Sequence, residues 1–496
     1  MEYSQVAFDR AQREGKPLFL LFTAEWCHWC HVYEQETLEQ PEVADTIARH
    51  FVPVVVNADA RQDLMRQYGA RGLPTTVIFS PEGKKLFSFA GHVRKADLLA
   101  TLERFRRDRA VSSAEVARTL PTDAKKKAAP QQDPGREGYA RRRNAFLAWL
   151  EENYDPRYGG FGAVRRFRTL QKFPKPRTYL FLLEETSGDP VWLGRIRKTL
   201  DRLARGLYDA VEGGFYRYSV HEDWMRPHYE KMLPTNAALI QAYLRTFETI
   251  GDARYRDYAR GALAFVLQKL HDPRSGGFFG SQAADEEYFP LDRAGRARRT
   301  PPPVSRDQYA NWNAEMVLAL LEAARVLKEP EYGRLARRTL DFLRTRMLHP
   351  RLGVLHHRNT RTGRVTLDGQ LEDNAWVILA FAEAYRVTGD RSHLNTARRV
   401  MAYVRARLYD PKEGAFYERR SESREAYRKG EAFLARKPFG PNALLAYALA
   451  RTPEVAGGEG GKRLLRRLVR FLAARTAPAP DEEAWFLMAY RLFLEG

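Results

Sequence analysis

A chain of 496 residues is longer than one ordinary hydrophobic core can organise, so two or more domains are expected. With 44% hydrophobic and 29% charged residues the composition is that of a globular protein, not a disordered one, and no run approaches the roughly 18 consecutive apolar residues of a membrane-spanning helix. The formal net charge of +20 would suit a polyanion, but no recognition motif accompanies it, and groups such as Glu103-Arg104-Phe105-Arg106-Arg107 read as solvated helix faces, so nucleic acid is not expected as a partner.

The opening Met1-Glu2-Tyr3-Ser4-Gln5 has neither a basic n-region nor an apolar core, which points to a cytoplasmic location. Residues 17–23 (PLFLLFT) form a short apolar run that reads as a buried strand. A helix is expected from about Cys27 through Val32, Glu36 and Leu38. Residues 51–57 (FVPVVVN) and 75–80 (TTVIFS) are two further strands, and the turn Pro81-Glu82-Gly83 leads into a fourth at 85–89, making a hairpin. Helical periodicity over 95–107 closes this α/β unit.

Residues 121–138 (PTDAKKKAAPQQDPGREG) have no apolar face and the composition of a linker. The expected domains are therefore 1–115, a linker at 116–138, and 139–496. In the third, an internal repeat decides the fold. Asp155-Pro156-Arg157-Tyr158-Gly159-Gly160-Phe161 recurs as Asp272 to Phe278 (DPRSGGF) and Asp410 to Phe416 (DPKEGAF), with looser copies at 209–215 and 349–354. Each copy ends a long amphipathic helix, as Gly and Pro should. A second mark is an Asn opening an apolar helix, at Asn236, Asn313, Asn374 and Asn442, where an N-cap role is expected. Counting from the linker gives one helix near 139–153, five pairs, and a last helix at 482–494. Helices that follow each Asn are apolar nearly all round, whereas those at 255–270 and 335–347 carry arginines on one face. An all-α six-hairpin α/α barrel, its inner ring covered by an outer one, is the expected architecture.

The chain has only 2 cysteines, both in Cys27-His28-Trp29-Cys30, which excludes a disulfide framework and a four-cysteine zinc site. Disulfide exchange needs a thiolate, and a cysteine where strand gives way to helix has the helix N-terminus aimed at its sulfur. Cys30, one turn on, is placed to resolve a mixed disulfide, and His28 and His31 add positive charge nearby. Two other readings stand beside redox chemistry: a metal held by Cys27, Cys30 and His31, and a fold kept without turnover. Ala24-Glu25-Trp26-Cys27 and Gly72-Leu73-Pro74-Thr75-Thr76, at this separation, resemble thioredoxin. That resemblance implies a thioredoxin-like fold with Pro74 as a cis-proline facing the cysteines and Trp26 beside them. It also exposes a departure, because Leu21 stands where thioredoxin has its buried acid.

In the barrel the densest run of unusual residues is 216–233 (YRYSVHEDWMRPHYEKML), with His221, Asp223, Trp224, His228, Glu230 and Lys231 in a loop before an inner helix. Carboxylates and histidines near aromatic rings suit acid/base work on a sugar. Other loops offer Asp307, Trp312, Glu372, Asp373 and Trp376. For each of these residues, capping a helix or tying hairpins together is the competing role.

The combination resembles the YyaL-like (spermatogenesis-associated protein 20-like) family. The resemblance rests on Cys27 to Val32 (CHWCHV), Gly159-Gly160-Phe161-Gly162 with Lys172-Phe173-Pro174, and Gly214 to Ser219 (GFYRYS). Pro227 to Leu233 (PHYEKML), Trp312-Asn313 and Leu371-Glu372-Asp373-Asn374-Ala375 carry it further. It implies a thioredoxin-like domain joined to a six-hairpin barrel similar to those of sugar 2-epimerases and glycosidases. Two segments depart from the family's pattern: Asn57-Ala58-Asp59-Ala60-Arg61 replaces an acidic Asp-Arg-Glu-Glu segment, and Gln282-Ala283-Ala284-Asp285 an Asp-Ala-Asp-Ser one. The function expected is thiol–disulfide exchange, Cys27 attacking and Cys30 resolving, with the barrel recruiting an unknown protein disulfide. The alternatives are a carbohydrate-active barrel acting on a carbohydrate-like small molecule, and a non-catalytic binding module. No cofactor and no metal are expected.

Overall fold

The computed structural model describes residues 1–70, 72–107, 134–162, 171–186, 188–420 and 436–496. The chain divides into two compact units; among the described residues these are 1–107 and those from 134 onward.

In the first unit the elements run α1 (Gln5–Glu14), β1 (Leu18–Thr23), α2 (His28–Tyr33), α3 (Pro41–His50), β2 (Val52–Asn57), α4 (Gln62–Tyr68), β3 (Thr75–Phe79), β4 (Lys85–Ala90) and α5 (Lys95–Arg107). The strands form one mixed sheet in the order β2-β1-β3-β4. β1 lies parallel to β2 and antiparallel to β3, so that Leu21 faces Val55 on one side and Thr76 on the other. Side chains alternate across the sheet. Leu18, Leu20 and Phe22 pack with Phe8 of α1 and Leu64 of α4, whereas Phe19 and Leu21 pack with Tyr33, Val43 and Leu102 of α2, α3 and α5. Each fully buried aliphatic or aromatic side chain there contributes on the order of 1.5–3 kcal/mol, which is why the short apolar runs become central strands. The helix expected through Leu38 is not continuous. After Tyr33 it widens into a π-helical turn, Glu34–Leu38, which carries buried Thr37 inward to donate to the Val93 carbonyl at 2.8 Å.

The second unit holds twelve long helices among the described residues, paired as six hairpins. The inner helices are α7 (Pro176–Glu185), α9 (Leu233–Ile250), α11 (Ala310–Leu327), α13 (Leu371–Thr388), α15 (Phe439–Arg451) and α17 (Pro480–Glu495). Each packs on the next, and α17 returns to pack on α7, closing the ring. The outer helices are α6 (Arg136–Glu152), α8 (Pro190–Leu207), α10 (Ala253–Phe265), α12 (Pro330–Phe342), α14 (Arg391–Arg407) and α16 (Gly458–Ala473). The linker expected at 116–138 lies mostly outside the described residues; its last three open α6.

The repeated asparagines are not N-caps. Each is the fourth residue of its inner helix, fully buried, and reaches back to the preceding turn. Asn236 Oδ1 accepts from the Phe215 N–H at 2.7 Å, while Nδ2 donates to the Phe215 carbonyl at 3.1 Å and the Met232 carbonyl at 2.9 Å. Asn313 does the same to Phe278, and Asn442 to Phe416. Asn374 accepts from Val354. The two repeat marks are thus one device, in which an amide side chain pairs the exposed edge of a tight turn that would otherwise bury unpaired backbone. The glycines fit the same turn. Gly213 has φ +74, and a Cβ on it would sit 2.3 Å from the Gly261 carbonyl oxygen. Connections from inner to outer helices are short, whereas those from outer to inner are long except between α16 and α17, so the long loops gather where the inner helices begin.

Candidate functional site

The strand β1 delivers the chain to Cys27, which caps α2 in extended conformation and is almost fully buried. Cys27 and Cys30 form a disulfide with Cα atoms 5.2 Å apart. The Cys30 N–H donates to Cys27 Sγ at 3.2 Å, an orientation that favours a charged sulfur when the bond is open. Trp26 is buried beside it, its Nε1–H donating to Asp59 Oδ2 at 2.6 Å. Asp59 is itself set by Asn57, whose Oδ1 accepts from the backbone N–H of Asp59 and Ala60. The segment that departs from the family pattern is therefore the one that anchors Trp26. His28 packs edge-on against Trp29, which is exposed, while His31 is half-buried. The Leu73–Pro74 peptide is cis, and Pro74 is buried. Leu21 lies inside the apolar cluster on the α2 face, where Tyr33 is also buried and its hydroxyl pushed up to about 12 by that burial. Among the described residues, no three His, Cys, Asp or Glu side chains are grouped to hold a metal ion.

In the barrel the residues singled out by sequence separate into three groups. Trp224 and Lys231 belong to the framework. Trp224 is fully buried, donates from Nε1 to the Tyr158 carbonyl at 3.1 Å, and is unavailable to stack on a ligand. Lys231 Nζ lies 2.6 Å from Asp209 Oδ2 and donates to the Gly213 carbonyl; burial lowers its pKa to about 8, with Asp209 opposing. Lys172 and Lys437 bind Asp155 and Asp410 in the equivalent way, each at 2.5 Å, so the lysine is part of the repeat and not a special group. His221 and Asp223 form a partly exposed pair at 3.0 Å.

The second group is a set of buried histidine–carboxylate pairs in the long loops and, at Asp373, the first turn of α13; Trp312, Glu372, Asp373 and Trp376, expected in loops, all lie in inner helices. His228 Nδ1 lies 2.9 Å from both oxygens of Glu230, beneath the ring of Tyr218. Asp307 pairs with His357 at 2.7 Å and Asp373 with His356 at 2.8 Å, and Tyr309 packs against both imidazoles and against Trp312. Sequence reasoning found the carboxylates and overlooked His356 and His357, whose signal was two adjacent imidazoles in a strand-like stretch.

The third group lies on the barrel axis, and of the sequence candidates only Trp376 and Glu372 belong to it. Arg177, from the first turn of α7, pairs with Glu315 of α11 and lies 3.3 Å from Gln241 Oε1 of α9. Its guanidinium sits 5.3 Å from the ring of Trp376 on α13 and 5.0 Å from that of Trp485 on α17. Tyr447 of α15 completes the circle against Trp485 at 4.7 Å. Burial pushes the Glu315 carboxyl up to about 7; Glu372 and Asp481 act in the same direction and Arg177 against it. Arg177 and Glu315 were overlooked because each is the one charge in the apolar first part of its helix, Pro176 to Leu183 and Ala310 to Leu321. The one available signal was Glu315 itself, an acid inside NAEMVLALL.

Residues 4–106 match the family model described as a thioredoxin-like domain. The N-terminal unit is a thioredoxin-like domain. The chain is similar to spermatogenesis-associated protein 20 of Homo sapiens, 29% identical over 363 residues, covering 67% of this chain and 42% of the human protein. The chain thus spans less than half of that relative's length. A segment of 98 residues is 35% identical to the thiol:disulfide interchange protein DsbD of Neisseria meningitidis, covering 19% of this chain and 16% of that protein. The solved cellobiose 2-epimerase of Spirochaeta thermophila shares the barrel fold at 17% identity, with a TM-score of 0.56, over 73% of this chain and 97% of that one. The helical unit thus has the six-hairpin fold of glycosidases and epimerases.

Proposed function

We propose that the N-terminal unit carries out thiol–disulfide exchange in the cytoplasm, with the barrel recruiting the protein whose disulfide is exchanged. The observation that carries this reading is the Cys30 N–H directed at Cys27 Sγ in the first turn of α2. In the reduced state the Cys27 thiolate attacks one sulfur of the substrate disulfide, forming a mixed disulfide and releasing the other sulfur as a thiolate that takes a proton. Cys30 then loses its proton and attacks Cys27 Sγ, which expels the second substrate sulfur. The Cys27–Cys30 disulfide is formed as the substrate gains two electrons and two protons. With Leu21 in place of an acid, the proton of Cys30 goes to solvent and not to a side chain at that position, so resolution is expected to be the slower step.

The test is a titration of the full chain against a dithiol redox buffer, followed by trapping with Cys30→Ser. A reversible Cys27–Cys30 couple, and a Cys30→Ser variant that accumulates a mixed disulfide with insulin, are expected. A pair that does not cycle, or turnover that survives Cys27→Ser, would overturn the reading.

A second reading gives the barrel a ligand of its own, a sugar-like small molecule. It is favoured by the polar and aromatic side chains that the inner helices direct to the axis, and by the likeness of fold to a cellobiose 2-epimerase.

A further inference from the structure

We infer that Arg177, Gln241, Glu315, Trp376 and Trp485 form the binding site for a neutral polyhydroxylated ring on the barrel axis. This inference rests on the second reading and replaces the loop residues proposed from sequence as the ligand-contacting set.

Five side chains from five separate inner helices meet at one point, where no local sequence interaction brings them. Glu315, Trp376 and Trp485 each keep about 8% exposure, although flanking residues such as Ala314, Met316 and Val317 in α11 have none. These groups thus keep a small residual exposure in the first turns of their helices, where their immediate neighbours in α11 have none.

Stability alone does not account for the cluster. Burying an ion pair costs desolvation of both charges, and well-packed apolar side chains of similar volume would hold the ring at least as well. A polar centre kept at that cost, on the axis of a fold whose long loops gather at the same end, is what a ligand site requires.

The charges select the ligand. An anion approaching Arg177 meets a cation already paired with Glu315, with the Glu372 and Asp481 carboxylates near enough to resist ionisation of Glu315. A cation approaching the indoles meets the Arg177 guanidinium over both rings. A neutral ring bearing several hydroxyls avoids both conflicts. Its C–H groups suit the parts of the two indoles that Arg177 leaves uncovered, and its hydroxyls both donate to Glu315 and the Gln241 carbonyl and accept from Arg177 and the Gln241 amide. Burial pushes the Glu315 carboxyl up to about 7, so a form that can donate toward a hydroxyl lies within reach of neutral pH.

The test uses the full chain and a panel of neutral sugars, including D-mannose and cellobiose, with glucuronate and glucosamine as charged controls. Binding is read by calorimetry and by the shift in tryptophan fluorescence. At least one neutral sugar is expected to bind, both charged sugars more weakly, and Glu315→Gln and Trp485→Phe each to weaken binding at least ten-fold while circular dichroism shows the barrel still folded. Both variants nearly preserve shape, so they keep the test informative if Arg177→Met fails to fold. Unchanged sugar binding in both variants would overturn this site while leaving the sugar reading intact. Absence of any neutral-sugar binding to the parent protein would overturn both. Preference for glucuronate or glucosamine would overturn the ligand class.

Discussion

In the thioredoxin-like unit the candidate chemistry occupies four consecutive residues, Cys27 to Cys30, at one helix start, and the group that orients the sulfur is a backbone N–H within the same turn. In the barrel the candidate centre takes Arg177, Gln241, Glu315, Trp376 and Trp485 from five helices, each brought in by ring closure. The first kind of site survives wherever its local turn folds. The second exists only while every hairpin keeps its place, which is the work of the buried aspartate and asparagine ties repeated around the ring.

That contrast can be broken at several points, the largest effect lying in the local site. Cys27→Ser is expected to lower insulin reduction by roughly 10³-fold or more, to the background rate, because the attacking sulfur is gone. Sugar binding by the same variant, measured by calorimetry, is expected to be unaltered; a parallel loss would mean that the two units do not act separately.

Next in size is the framework. Asp209→Ala leaves the Lys231 ammonium buried without the carboxylate that now lies 2.6 Å away, and leaves the Arg296 guanidinium, now 2.7 Å from Asp209, with only Glu212 at 3.2 Å. A loss of about 3–5 kcal/mol in urea unfolding of the barrel is expected, since an uncompensated buried charge is costly. Lys231→Met is expected to cost less, because Arg296 still neutralises Asp209. Equal losses would show that the lysine carries the turn.

Asn236→Ala removes three hydrogen bonds and leaves the Phe215 N–H and carbonyl buried without them. A cost of about 1–3 kcal/mol in the same urea measurement is expected. An unaltered midpoint would show that the turn holds without its amide.

The last effect is a pH slope, which builds up gradually across several pH units. Glu315 titrates near 7 in the folded barrel against an ordinary value of 4.5, so between these values the native state binds the proton more tightly than the unfolded chain does. Its contribution to stability is therefore present below about 4.5 and is lost as pH rises through about 7. Unfolding free energy measured across that window is expected to fall more steeply in the parent protein than in Glu315→Gln. A steeper fall in the variant would show that Arg177 outweighs burial.

Much of both folds was legible because it rests on local patterns. Residues 17–23, 51–57 and 75–80 are apolar runs of strand length, and they became β1, β2 and β3. The repeated turns and apolar helices of the second unit became six hairpins. Helices α1, α3 and α4 went unread because the strand pattern dominated their surroundings, although Pro41 at the start of α3 and Gly69 at the end of α4 are ordinary boundary signals. The asparagines were legible as a repeat but misplaced by four positions, since an N-cap and a residue one turn inside a helix look alike in a periodic sequence. Trp224 read as a pocket candidate because an aromatic ring in a polar loop carries no mark of burial.

What the sequence alone determined is the thiol pair at Cys27 and Cys30, its thioredoxin-like setting, and the count of hairpins. Each depends on spacings of a few residues, where chain geometry leaves little freedom. The meeting of Arg177 with Glu315, and the sealing of Trp224 and Lys231 into the framework, were decided by tertiary structure. A side chain on a helix in a closed ring has its neighbours chosen by the packing of the whole ring, and no pattern within one helix encodes which residue stands across the axis.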